Sequence, residues 1–264
     1  IYSLEQMKLH IDANCKIEFI INNLKDLDNS LQKIGVHLTV IDSNGYADNP
    51  KKIIDVVQVR SISKVYWNNM FGTDENIRDQ EVRKILDNNN IDYETFDDQV
   101  VYSPGTIKTK EDKPYSVFTP FKRRWVENFN IDFLDIEFNY TAKNDTGISS
   151  NVNEFNFDFK KTHLVDMSLW SVGEENAMSI LDDYLEHKVL RYSKDRNDPI
   201  IDGTSRISPY LASGIISSKR CILEALKKNN FELDSGESGI VKWIDEIIWR
   251  EFYKNIMHSF PKVS

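Results

Sequence analysis

KVYWNNMFGTDENIRDQEVRKILDNNNIDYETFDD, residues 64–98, reads as a complete strand–helix–strand unit. KVYWNN and DYETFDD are short runs with β-branched and aromatic residues. DENIRDQEVRKILDNNN between them is long, charged and helical. The rhythm extends upstream. NCKIEFIINNLKDLDNSLQKIG places Ile17, Phe19, Ile20, Ile21, Leu24, Leu27 and Leu31 near helical spacing, with Gly35 just past the end. HLTVID is a short strand, and NPKKIIDVVQVRS is a helix begun by Pro50. Alternating strands and helices predict an α/β fold: a doubly wound parallel sheet over residues 1–127. Such sheets host many functions, so the fold alone decides little.

From Asn128 the composition shifts to Asn, Asp, Phe and Thr, and residues 128–167 are expected to form an interdomain linker. Within it NYTAKNDTGISSNVNEFNFDFKK reads as surface chain. Residues 168–264 turn helical, in GEENAMSILDDYLEH, SPYLASGIISSKRCILEALKK and GIVKWIDEIIWREFYKNIMHSF. The second domain is therefore expected to be all-α.

The 264 residues are 40% hydrophobic, enough for a substantial core, and the net charge is −9. That charge excludes nucleic-acid binding by overall attraction, so an anionic partner must meet local basic groups. Cys15 and Cys221 are too few and too distant for a disulfide framework, and a reducing cytoplasm is expected. No apolar run reaches membrane-spanning length. His10, His37, His163, His187 and His258 have no metal-ligand spacing, so neither a membrane nor a metal partner is expected. The Lys122–Arg124 run reads as solvated charge.

Two stretches can carry chemistry. In the last helix Glu246, Trp249, Arg250 and Tyr253 fall at i, i+3, i+4 and i+7, with Trp243 extending that face and Ile244, Ile247 and Ile248 behind it. The front is either an ordinary solvated face or a stacking surface for a planar ligand such as a nucleobase. In DGTSRISPYLASG, residues 202–214, the hydroxyls of Thr204, Ser205 and Ser208 and the guanidinium of Arg206 gather before an apolar helix with Pro209 in its first turn. This is either an N-cap or an anion cradle at a helix entrance.

GTSRISPYLASGIIS followed by WIDEIIWREFY closely resembles the flavin domain of the DNA photolyase and cryptochrome family, and RYSKDRNDPIIDGTS fits it without a gap. ENIRDQEV, the SPG of VVYSPGTI and PYSVFTPFKRRW resemble the family's antenna-domain segments in the expected order. The resemblance covers nearly the whole chain and is weakest across the linker. It implies a class I photolyase repairing cyclobutane pyrimidine dimers with excited reduced FAD, an activity expected of a longer parent protein and not of this stretch alone, with a blue-light photoreceptor as the alternative. Thr204, Ser205, Arg206, Ile207 and Ser208 are then expected around the FAD diphosphate, with Tyr192 and Trp243 as further flavin contacts. Arg196 is expected on the DNA backbone. Glu246, Ile247, Ile248, Trp249, Arg250, Glu251, Phe252 and Tyr253 are expected to line the lesion pocket, Glu246 and Trp249 as its catalytic pair. Asp74, Glu75 and His10 match antenna contacts, and the implied pigment is a folate, 5,10-methenyltetrahydrofolate; Asp74 departs from the asparagine of better-known folate binders. The resemblance further implies UV-damaged DNA as partner and a monomer at full length. The family's first strand and the rest of its flavin domain have no counterpart here, so a truncated FAD-binding domain is expected.

Overall fold

The computed structural model describes residues 1–134, 149–157 and 166–263. The chain divides into two compact units, one of Ile1–Tyr66, Ile77–Glu94 and Phe138–Asn176, the other of Trp67–Asn76, Thr95–Glu137 and Ala177–Ser264.

In chain order come α1 (Leu4–Leu9), α2 (Asn14–Gln32), α3 (Asn49–Val59), β1 (Lys64–Asn68), α4 (Thr73–Asn88) and β2 (Asp92–Phe96). The opening stretch is thus strand–helix–strand, and β1 and β2 pair in a small parallel sheet. Helical elements follow: α5 (Phe118–Glu127), α6 (Glu174–His187), α7 (Tyr192–Asp195), α8 (Ser208–Ala212), α9 (Ser218–Lys228) and α10 (Ser238–Ser259). The fold class read from the sequence holds, an α/β part followed by a helical one.

The first unit is built on Tyr2, Ile17, Ile21, Val40, Val152 and Phe157, all buried together. Tyr2 donates its hydroxyl to the Phe157 carbonyl at 2.8 Å. The strand expected at HLTVID is reduced to a single parallel bridge between Tyr2 and Asp42. Its backbone is occupied differently: the Asn151 side chain accepts from Val40 N–H at 2.7 Å and donates to Val40 C=O at 2.9 Å. An amide side chain therefore stands where a neighbouring strand would. Val152 and Phe157 also correct the surface reading of residues 149–157, since their side chains belong to the core. The rest of NYTAKNDTGISSNVNEFNFDFKK lies outside the described residues.

The second unit packs α10 against α5, α7 and α9. Tyr184, Val189, Tyr210, Ile222, Leu226, Ile240, Ile244 and Ile248 are nearly solvent-free there. The helix expected from Ser208 through Lys228 is broken in two. Gly214 takes φ of 72°, the left-handed region that stops a helix, and Ser217 restarts it by accepting from Arg220 N–H at 3.1 Å. Lys122 is no solvated charge: its ammonium bridges Asp245 at 2.7 Å and Asp234 at 3.0 Å. Burial works against that charge, and the two carboxylates more than offset it, raising its pKa.

Candidate functional site

α10 organises the site. Its apolar stripe buries Ile240, Ile244, Ile247, Ile248 and Phe252, as 3.6-residue spacing requires. Trp243, expected on the exposed front, is only 2% exposed. Its indole N–H donates to Ser205 Oγ at 3.3 Å, which ties the hydroxyl-rich loop to this helix.

That loop leaves α7 and re-enters at α8. Gly203 is buried, and a Cβ there would meet the Asp195 Cβ at 2.6 Å, so the chain must pass α7 without a side chain. Among the described residues, none of the backbone N–H groups of Thr204, Ser205, Arg206 and Ile207 donates to another backbone group. Arg206 holds φ of 52° and pairs with Asp202 at 3.0 Å, both half exposed. Thr204 and Ser208 are exposed and Ile207 is buried. The helix behind them is only five residues long, so anion affinity here must come from the loop's own donors more than from a helix dipole.

Arg196 and Glu246, far apart in sequence, form an ion pair. Lys242 approaches the same carboxylate at 3.8 Å. The Arg196 guanidinium also lies 5.6 Å from the centre of the Tyr192 ring. Burial, reinforced by the Glu246 charge, pushes the Tyr192 phenol up. Tyr192 meets Tyr184 edge-on at 6.2 Å, and Tyr184 packs on Trp243 at 5.4 Å. The buried Tyr184 hydroxyl has no hydrogen-bond partner among the described residues.

Several residues of the run 246–253 do not face outward. Arg250 donates to the carbonyls of Gln99 at 2.6 Å and Leu211 at 3.1 Å. Glu251, 3% exposed, accepts from Val101 N–H at 2.8 Å, Tyr102 N–H at 3.1 Å and Trp125 Nε1 at 2.7 Å. Burial pushes the Glu251 carboxyl up to about 7, even though all three donors oppose that. Lys254 binds the Gln99 side chain, and burial with the Arg250 charge lowers its pKa to about 8. Asn255 Oδ1 accepts from Gly105 N–H at 2.9 Å. Gly105 has φ of 87°, and a Cβ there would press on the His258 ring at 3.1 Å. This edge of α10 therefore holds the loop 99–105. Ile247, Ile248 and Phe252 are also buried, and the half-buried Arg250 is committed to two carbonyls, which leaves Glu246, Trp249 and Tyr253 to present the expected wall.

Trp249 lies among rings. Phe118, the first residue of α5, stacks on it with centroids 3.7 Å apart and planes 11° from parallel. Phe252 meets it edge-on at 5.7 Å and Tyr253 lies alongside at 5.6 Å. Periodicity within α10 could not reveal Phe118, because α5 is distant in sequence.

The three expected antenna residues are not gathered in one unit. His10 belongs to the first, where it bonds Gln6 at 2.8 Å and lies 6.4 Å from the Tyr46 ring. Asp74 and Glu75 belong to the second, in the first turn of α4; Asp74 is exposed and Glu75 folds back over Gly72. Among the described residues there is no cluster suited to a metal ion and no helix long and apolar enough to cross a membrane.

Comparison with known proteins bears on the family and the fold. A deoxyribodipyrimidine photo-lyase of Buchnera aphidicola is 28% identical over 254 residues, covering 94% of this chain and 51% of that protein. A class III photolyase from Agrobacterium tumefaciens superposes with a TM-score of 0.79 at 23% identity, over 95% of this chain and 51% of that one. A photolyase from Sulfolobus tokodaii, solved with two FAD molecules, superposes with a TM-score of 0.66 at 20% identity, over 99% of this chain and 53% of that one. The chain spans about half the length of the curated relatives it matches. The family described as DNA photolyase matches residues 1–139, more than half of the sequence, and the chain belongs to that family.

Proposed function

We propose that this chain carries the cofactor cradle and lesion wall of a light-driven enzyme that repairs cyclobutane pyrimidine dimers in DNA, with FAD as its cofactor. One observation carries the reading: α10 bears both parts. Trp243 anchors Ser205 of the loop, while Glu246 and Trp249 lie three and six residues further on, roughly 4.5 and 9 Å along the helix axis. Cradle and wall are therefore fixed relative to each other by one rigid element.

The loop suits a diphosphate. Among the described residues its successive N–H groups lack backbone acceptors, Thr204 and Ser208 are exposed, and Arg206 adds a cation. When bound in its reduced form, FAD would lend a light-driven electron that opens the cyclobutane ring and takes it back afterwards, so that no net oxidant or reductant is consumed. The chain's own residues position the lesion. A dimer pairs poorly, so turning it out of the stack costs less than turning out intact bases. Glu246 accepts a hydrogen bond from a pyrimidine N–H, Trp249 packs the apolar ring edges, and Arg196 holds the Glu246 carboxylate and meets a backbone phosphate. We further propose a second, light-gathering chromophore, the folate 5,10-methenyltetrahydrofolate, to be identified by its absorption after release from purified protein.

The test is equilibrium titration of FAD into this chain, followed by flavin fluorescence, beside Arg206→Asn, which tolerates the left-handed backbone at that position. Saturable binding weakened at least tenfold in the variant supports the cradle. Blue-light loss of dimers from irradiated thymine oligomers, abolished by Glu246→Gln, supports the wall. FAD binding indifferent to the Arg206 change sinks the assignment of the loop.

A further inference from the structure

We propose that Phe118 is a positioning residue for Trp249, and that it sets how strongly the wall prefers a dimer over intact bases. This role rests on the repair reading of the α10 wall. The stack is close: 3.7 Å between centroids, 11° between planes. Phe118 also meets Phe252 edge-on at 5.9 Å, and Phe252 in turn meets Trp249 edge-on at 5.7 Å. Phe252 is buried, so this corner of the cluster is anchored in the core. The half-buried Trp249 is thus held by neighbouring rings from α5 and from its own helix.

A tryptophan on a helix surface ordinarily samples several rotamers and loses that freedom when a substrate packs on it. Phe118 removes the freedom beforehand. It also covers one face of the indole, so a base cannot insert between the two rings. What remains is the indole edge and the side toward Tyr253, which is 58% exposed. A bent, two-ring lesion fits such a corner better than a single flat base does. The stack therefore acts on dimer binding and leaves undamaged DNA unaffected.

The experiment is fluorescence anisotropy of a labelled single-stranded thymine oligonucleotide, with or without one cyclobutane dimer, titrated with this chain and its variants. Phe118→Leu and Phe118→Met remove the ring, Met keeping most of its volume; Phe118→Tyr keeps the ring; Trp249→Leu is the reference. Loss of an aromatic pair should weaken dimer binding about three- to tenfold without changing affinity for the intact oligonucleotide. Phe118→Tyr should restore native discrimination. Full discrimination in Phe118→Met, with discrimination lost in Trp249→Leu, would leave Phe118 as core filling and overturn the proposal. Discrimination that survives in Trp249→Leu, or is absent from the native chain, would overturn the repair reading of this wall and the positioning role with it.

Discussion

Glu251 is a buried carboxylate, and its pH behaviour should be visible in stability. Burial holds its pKa at about 7, against 4.5 ordinarily. The folded state therefore binds this proton more tightly than the unfolded chain does. The group's contribution is complete below about pH 4.5, falls as pH rises towards about 7, and is level beyond. The full difference is about 3 kcal/mol. Urea unfolding between pH 4.5 and 8 should show this decline, and Glu251→Gln should flatten it. The Gln variant should also lose about 1–3 kcal/mol, because its amide must turn an N–H towards one of three donors. Arg250 calls for a different test. Both of its bonds go to backbone carbonyls, so Arg250→Lys should lower stability by about 1–3 kcal/mol while leaving oligonucleotide affinity unchanged. An affinity loss without a stability loss would return Arg250 to the DNA-facing side.

At the scale of the element, α10 shows what a sequence can and cannot display. Its apolar stripe and the neighbourhood of Glu246, Trp249 and Tyr253 follow from spacing alone. The partners of Arg250, Glu251 and Lys254 do not, since they lie 39 to 155 residues away along the chain. Trp243 misleads for the same reason: its angle on the helix says front, and the Ser205 loop covers it. The break between α8 and α9 was missed, although Gly214, following a helix opened by Pro209, could have marked it. Val152 and Phe157 were hidden by composition, being apolar residues in an Asn-rich run. The start of α10 supplies its own prediction. Replacing a helical glycine with alanine usually stabilises, by about 0.5–1 kcal/mol. At Gly239 the added Cβ would fall 2.1 Å from the Val189 carbonyl oxygen and 2.6 Å from that of Leu190. Both obstacles are backbone and cannot swing aside. Gly239→Ala should therefore destabilise by about 1–3 kcal/mol, read as a lowered melting temperature.

For the whole molecule, the second unit draws on three separate stretches of chain, and this bears on how it can be divided. The domain read as 168–264 contains α10 but not the loop 99–105 or α5. Without them Arg250 loses Gln99, Glu251 loses its three donors, Asn255 loses Gly105, and Trp249 loses Phe118. Produced alone, residues 168–264 should show helical circular dichroism but no sharp thermal transition, whereas adding residues 95–137 in trans or by fusion should restore one. A cooperative melt of 168–264 by itself would mean that these cross-chain bonds contribute little. The same arrangement sets an order of events on the ribosome. Val101 and Tyr102 emerge about 150 positions before the carboxylate that will bind their amides, a delay of roughly 8–30 s at ordinary translation speeds. In that interval the N–H groups of Val101, Tyr102 and Gly105 have only water or a chaperone to hold them, and a translational pause ahead of Arg250 prolongs the wait.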